Sequence, residues 1–368
     1  MFLPGHDKRN WAAILTLLHL CFLFSCKEKE HRQVSPSFYY WKTTLNLSDT
    51  EKQELESLHV KTIYLKFFDV DWNEVYKTPE PVAKLQAANI PADPLGKLSG
   101  SIRVIPTVFI TNECIQKLDS ADAGTLAIQI CELIKFTRNS NQWLYHSSFA
   151  DTSEIQIDCD WTASTKNKYF GLLTVLKEHI HKDDGGRKYR LSCTIRLHQV
   201  KFVSKTGIPP VDRGLLMCYN MGNLKDPATK NSIIETEELK KYTGNLSGYP
   251  LPLDVAFPLF DWKVLYRNNV YTGLIQDLPY EALNSSCCSK NGNRYQVLKD
   301  TLLQGYDLRK GDMIRDEQSD IKEVLAAAKE IGKHLKNTPL RVSLYHLDSV
   351  ILSKYSTHEL ENIYNSLR

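Results

Sequence analysis

The sequence predicts an α/β protein, a single (β/α)8 TIM barrel, on three observations. Eight short β-branched or aromatic runs recur along the chain. Amphipathic helical patterns lie between several of them. No glycine-rich dinucleotide loop marks the competing architecture, an open doubly wound sheet. Strands alternating with helices imply parallel pairing with crossovers, and about eight such units make a barrel.

The N-terminal segment stands apart from that pattern. Lys8 and Arg9 precede an apolar run from Trp11 to Phe24, which meets Ser25 and Cys26. A basic start, a short apolar stretch and a small residue before the cut describe a secretory signal. The run is short for a membrane span. Leu23-Phe24-Ser25-Cys26 resembles the bacterial lipobox, which implies lipidation of Cys26. The expected organisation is a lipoprotein signal peptide over 1–25, a lipidated Cys26 with tether over 26–36, and the barrel over 37–368. Lys27-Glu28-Lys29-Glu30 reads as the solvated part of that tether. This organisation implies a cell-envelope location, lipid-anchored at the outer membrane or cell surface, with the membrane as a partner through Cys26.

The eight runs follow in order. They are Phe38–Trp41, Thr62–Phe68, Val104–Ile110, Ile155–Trp161, Leu191–His198, Leu215–Tyr219, Leu253–Trp262 and Leu340–Leu347. Leu126, Ile130, Leu133 and Ile134 predict a helix after the third run. Tyr169, Leu172, Leu173, Leu176 and Ile180 predict one after the fourth, closed by the turn Asp183-Asp184-Gly185-Gly186. Ile321, Val324, Leu325, Ala328, Ile331 and Leu335 predict one before the eighth. Gly207-Ile208-Pro209-Pro210 and the stretch from Asn284 to Asn293 read as irregular loops.

Composition excludes some functions. A net charge of +3 over 368 residues gives no electrostatic argument for nucleic acid, and no long basic stripe is visible. The seven cysteines after Cys26 lack zinc-site spacing, and an odd number in an exported chain argues against a complete disulfide framework. Cys287-Cys288 reads as a loop feature rather than a redox pair. There is no P-loop and no G-x-S-x-G elbow. His179 and His181, two apart on a helix, do not share a face as metal ligands would. His198 and His346 end strands. No cofactor and no metal is expected.

Strand alternation sorts the faces. Gln156, Asp158, Asp160 and Thr162 share one face of the fourth run, and Ile155, Ile157, Cys159 and Trp161 the other. With the polar face axial, Cys159, Cys193 and Cys218 lie under the helices. The axial set then holds Lys66, Gln156, Asp158, Asp160, Thr194, Arg196, Met217 and Tyr219. Charges there must pair or reach the open mouth. An Asp158–Arg196 ion pair is the structural alternative to a functional one. The C-terminal strand ends, where active sites of this fold sit, carry Asp160, Asp69, Asp71, Asp261 and Asp348. Tyr40, Trp41, Trp72, Tyr219 and Trp262 add aromatic rings. Carboxylates and aromatics around one mouth suit a sugar, whose faces stack on rings and whose hydroxyls donate to carboxylates.

The fourth and sixth runs resemble glycoside hydrolase family 18, the chitinase-like barrels. That family carries D-x-x-D-x-D-x-E on strand four, and Ile155 to Thr162 is the similar stretch. Asp158 and Asp160 match its second and third aspartates. Met217-Cys218-Tyr219-Asn220 matches its M-x-Y-[DN] motif. The resemblance implies Asp158, Asp160 and Tyr219 as catalytic positions. Trp41, Lys66, Asp69, Arg196, Asn220, Asp261 and Trp262 are candidate substrate-binding residues. Trp262 or a residue near the eighth strand stands where the family floors its sugar site with a tryptophan. Two positions depart: the first aspartate is Ile155 and the catalytic glutamate is Thr162. Threonine cannot supply a proton near neutral pH, so the family mechanism is not expected to run. "QIDCDW", "LSCT", "LLMCYNMG" and "LDVAFPLFDW" are similar to an uncharacterised bacterial family, domain of unknown function 3142.

Three functions compete. One is a glycosidase-like enzyme whose acid has moved to Asp261, Asp69 or Asp348. The second is a non-catalytic glycan-binding lipoprotein on a hydrolase scaffold. The third is a structural or assembly lipoprotein using the barrel as a rigid body. The first two take a glycan or another small polar ligand as partner.

Overall fold

The computed structural model describes residues 1, 32–86, 94–98, 100–141, 154–182, 189–275, 278, 280–283, 286–336 and 338–368. Residues 2–31 of the expected signal peptide and tether, Cys26 among them, lie outside the described residues, as does the turn at 183–186; the end of the expected tether is part of the barrel, since Val34, Ser35 and Pro36 pair with the last strand of the chain. One compact unit spans Gln33–Arg368. Within it β1 (Val34–Tyr40), β2 (Thr62–Asn73), β3 (Thr78–Val82), β4 (Arg103–Ile110), β5 (Glu154–Asp158), β6 (Arg190–Arg196), β7 (Arg213–Met217) and β8 (Leu253–Pro258) follow in order. β9 (Asp261–Arg267), β10 (Val270–Ile275), β11 (Cys288–Asn291), β12 (Arg294–Val297), β13 (Thr301–Leu303), β14 (Tyr306–Leu308) and β15 (Met313–Gln318) form an insertion, and β16 (Leu340–Tyr345) comes last.

Eight of these strands close a parallel barrel. The order runs β1, β16, β8, β7, β6, β5, β4, β2, and β1 also pairs with β2 to complete the ring. Phe38 sits at the seam, opposite Leu344 on one side and Ile63 on the other. Each barrel strand coincides with one of the eight sequence runs. The fold is the expected (β/α)8 barrel.

Helices cover the outside for the reasons their sequences give. The helix Ala123–Asn139 buries Leu126, Ile130 and Ile134. The helix Lys166–Lys182 buries Tyr169, Leu172, Leu173, Leu176 and Ile180. The helix Ile321–His334 starts at Asp320, whose carboxylate accepts from the Lys322 and Glu323 amides, and buries Val324, Ala328 and Ile331. The helix Thr357–Asn365 begins with a capping box made by Ser356 and Glu359. Cys159, Cys193 and Cys218 are buried free thiols, and burial pushes their pKa values up. Trp161, also off the axis, stacks on Tyr169 with centroids 5.3 Å apart.

Three departures from expectation have physical causes. The fourth strand ends at Asp158 rather than Trp161. The Thr162 amide donates to Thr165 Oγ1 at 2.9 Å, which starts the turn into the next helix. The run Leu253–Trp262 is two strands, because β8 ends at Pro258 and the chain turns away at Leu259-Phe260. The segment from Asn284 to Asn293 is not simply irregular: it contains β11 and the turn into β12.

β9 to β15 were not expected. They form an antiparallel sheet in the order β10, β9, β15, β12, β11, beside a β13–β14 hairpin. The insertion has its own small core, including Leu265, Ile275, Tyr295 and Ile314. Asn268 and Asn269, both with positive φ (51° and 60°), make the two-residue turn of the β9–β10 hairpin. Glu317 ties this sheet to the barrel. Its carboxylate accepts from Arg315 Nε at 2.5 Å, Ser232 Oγ at 2.5 Å and Trp262 Nε1 at 2.7 Å. Arg315 and Glu317 are both fully buried. Removing one charge of such a pair leaves the other unsolvated and unpaired. We expect Glu317→Ala to cost ~3–5 kcal/mol, read as a lower urea midpoint.

Candidate functional site

The C-terminal mouth of the barrel gathers the polar axial residues. Asp158 closes β5, is 6% exposed and accepts from Thr194 Oγ1 of β6 at 2.6 Å. Asp160, two residues on, is exposed and takes a two-pronged contact from Arg196, with Nε to Oδ1 at 2.5 Å and Nη2 to Oδ2 at 2.8 Å. The alternative of an Asp158–Arg196 ion pair is not realised: Arg196, at the end of β6, pairs with Asp160. Thr194, one step deeper, reaches Asp158.

Burial and then the neighbouring Asp160 push the Asp158 carboxyl up to about 6, against the opposing pull of Arg196 and Thr194. Burial alone would lower the Arg196 pKa, but Asp160 more than reverses this and holds the guanidinium charged. Burial raises the Tyr219 phenol well above its ordinary range, so it is a neutral donor.

Lys66 and Asp69 meet at 2.9 Å. In an unbroken strand these residues would face opposite ways. Pairing of β2 with β4 shifts register between Lys66 and Phe68, so Phe67 is an extra residue. This bulge brings Asp69 to the side of Lys66. The Lys66 ammonium also lies 5.7 Å from the Trp41 ring centroid.

Tyr345, at the end of β16, is the hub of an aromatic floor that sequence reasoning missed. Its centroid lies 5.6 Å from Tyr39, 5.9 Å from Trp41, 5.6 Å from Tyr219 and 5.8 Å from Phe260. Alternation along the eighth run, applied as it was to the fourth, would have placed Arg341, Ser343 and Tyr345 on one face. Tyr40 is outside this cluster, because its hydroxyl donates to the Thr44 carbonyl at 2.9 Å while Tyr39 takes the axial place. Trp72 lies in the β2–β3 hairpin.

The other candidates are engaged by their neighbours. Asp261 and Trp262 open β9 in the insertion. Asp261 is ion-paired with Lys354, and Trp262 packs on Phe260 at 5.2 Å while donating to Glu317. Asp348 caps the turn Ser349–Leu352 and pairs with Lys42 at 2.7 Å. Asp71 accepts from Thr111 Oγ1 at 2.9 Å. Asn220 adopts the left-handed conformation, with φ 54°, and its amide donates to the Ile233 carbonyl. Thr162 is exposed, and its hydroxyl contacts Ser164 and Thr165 in the helix-starting turn.

Buried polar atoms are normally paired. Here the Tyr219 hydroxyl, Gln156 Nε2, Arg196 Nη1 and Asp69 Oδ1 are buried and have no hydrogen-bond partner among the described residues. Gln156 spends only its oxygen, which accepts from the Tyr39 hydroxyl at 2.6 Å. Three donors and one acceptor thus stand beside an aromatic floor. Chemically, the arrangement can hold a polyhydroxylated or amide-bearing ligand with one apolar face.

No family model and no curated protein matches the sequence. The similarity to domain of unknown function 3142 accordingly rests on the quoted motifs alone. Solved structures do match the fold. The Bacillus cereus spore cortex-lytic enzyme SleL aligns at 11% identity over 92% of this chain and 75% of its own, with TM-score 0.52. The Ostrinia furnacalis Group IV chitinase in complex with allosamidin aligns at 11% identity over 91% and 98%, with TM-score 0.52. A GH18 chitinase from Cycas revoluta in complex with (GlcNAc)4 aligns at 12% identity over 91% and 99%, with TM-score 0.50. The chain is thus a (β/α)8 barrel of the chitinase-like fold.

The raised Asp158 pKa has a sign in stability. The folded state holds a proton that the unfolded chain releases, so the contribution of this group is full below 3.8 and is lost as pH rises toward about 6. Asp158→Asn should flatten the slope of unfolding free energy against pH in that window, measured by chemical denaturation at several pH values.

Proposed function

We propose that this chain binds a glycan at the C-terminal mouth of its barrel, with N-acetylglucosamine oligomers as the leading ligand class. The carrying observation is the set of four unpartnered buried polar atoms, on Tyr219, Gln156, Arg196 and Asp69, beside the floor centred on Tyr345. Sugars offer hydroxyls and an acetamido group to such atoms, and their apolar faces stack on rings. In this reading Asp158 and Asp160 orient the ligand, Tyr219 donates to it, and Trp41, Lys66 and Asp69 line one side. The similarity in fold to a chitinase solved with (GlcNAc)4 supports the ligand class.

Binding without hydrolysis by the family route is the favoured form. By the sequence resemblance Thr162 matches the family's acid, and its hydroxyl is engaged in a turn. Asp261 and Asp348, candidates for a relocated acid, are held by Lys354 and Lys42. Asp69 is likewise paired, with Lys66 at 2.9 Å, but keeps one oxygen unpartnered and lies close enough to raise the Asp158 pKa, so it is the candidate left to test. We further propose, from the sequence around Leu23 to Cys26, that the protein is a lipid-anchored envelope protein. Incorporation of labelled palmitate, abolished by Cys26→Ser, tests that part.

Calorimetric titration with N-acetylglucosamine oligomers, alongside an assay for reducing-end release, tests the main reading. Binding should be measurable and turnover absent. Tyr345→Ala should weaken binding by ~1 kcal/mol or more, about fivefold to tenfold, as expected for a lost stacking platform. Asp160→Asn should also weaken it, because Arg196 loses its charged partner. Absence of binding across amino-sugar polymers would remove the proposal, and reducing-end release by the parent that Asp69→Asn abolishes would replace it with hydrolysis through a relocated acid.

A further inference from the structure

At the opposite end of the barrel, where the parallel strands begin, lies a cavity of about 260 Å³. Lys61, Arg103, Arg190, Arg213 and Arg341 line it, with Glu154. Each of these cations stands at or next to the start of a barrel strand. Closing the sheet therefore brings together residues spread over most of the sequence.

Two buried carboxylates neutralise part of this charge. Asp254 accepts from Arg213 Nη1 at 2.6 Å and from Arg341 Nε at 2.7 Å. Glu154 accepts from Arg341 Nη2 at 3.0 Å. Five cations face two carboxylates, leaving three positive charges in excess. Lys61, Arg103 and Arg190 have no acidic partner among the described residues. Arg103 Nε is buried and has no hydrogen-bond partner there either. Burial, and then the like charge of Arg341, lower the Arg103 pKa against the opposing pull of Glu154.

We infer that this cavity is a binding site for a phosphate-class oxyanion, distinct from the mouth and independent of the glycan reading. Guanidinium forks match tetrahedral oxyanions through paired N–H donors. A phosphate group carries the multiple charge that three unneutralised cations require, whereas a single carboxylate meets only part of it. The cavity is large enough for such a group with a small substituent and too small for a folded polymer. Free phosphate, a phosphorylated metabolite and a phospholipid headgroup share this chemistry.

Thermal unfolding of the full chain in inorganic phosphate, against chloride at equal ionic strength, tests the site. Sedimentation with vesicles of phosphatidylglycerol, against phosphatidylcholine, tests the headgroup source. The parent should be stabilised by phosphate or should sediment with the phosphatidylglycerol vesicles. The double variant Arg103→Gln/Arg190→Gln should lose about tenfold or more in affinity while keeping the Asp254 and Glu154 pairs. Should that variant fail to fold, Lys61→Gln, on an exposed side chain, carries the same comparison. A response to phosphate alone assigns a soluble ligand, and a response to vesicles alone assigns a headgroup. A parent that responds to neither, or a folded variant that responds as the parent does, overturns the inference.

Discussion

β1 pairs in parallel with β2 along one edge and with β16 along the other, and this seam turns an open sheet into a ring. Once the ring is closed, every second side chain of eight strands must fit inside it. Polar groups caught there must find partners within the barrel or sit at an end. Midway along the axis the solution is an aromatic and amide stack: Tyr39 lies on Tyr64 at 4.8 Å, and the Tyr39 hydroxyl donates to Gln156. Charge is pushed outward to both ends. At the strand starts Arg213, Arg341, Glu154 and Asp254 form a paired network, and at the strand ends Arg196 pairs with Asp160 and Lys66 with Asp69.

The two ends differ in how their polar groups are satisfied, and the functional proposals for each rest on that difference. At the mouth the ion pairs leave three donors and one acceptor unspent beside buried and half-buried rings. At the strand starts the excess is one of positive charge, on which the inferred anion site rests. Asp158 belongs to the first end and shows its cost: a carboxyl so enclosed that its pKa rises, held by the Thr194 hydroxyl with Arg196 committed next door. The same closure that makes the site thus sets the protonation of its most buried group.

Much of the barrel was legible because its signals are local. The apolar stripes of the helices Ala123–Asn139, Lys166–Lys182 and Ile321–His334 need only a few turns of sequence to be read. Alternation placed Gln156 and Asp158 on the axis and Cys159 and Trp161 off it. What was not legible depends on register between distant segments. The bulge at Phe67, which turns Asp69 toward Lys66, appears only in the pairing of β2 with β4. The choice of Asp160 over Asp158 as the partner of Arg196 depends on how β5 meets β6. The basic ring has no linear signature, since its members are single residues at the starts of separate strands. Two local signals were present and unused: Pro258, which ends β8, and Asn268-Asn269, the hairpin turn that announces the inserted sheet.

A crystal structure of the protein grown with an N-acetylglucosamine oligomer tests the central claim most directly. The account predicts one sugar ring stacked over Tyr345, with its polar groups within hydrogen-bonding distance of Tyr219 and of Asp158 or Asp160. A sugar bound elsewhere on the barrel, with the mouth holding only water, would contradict it.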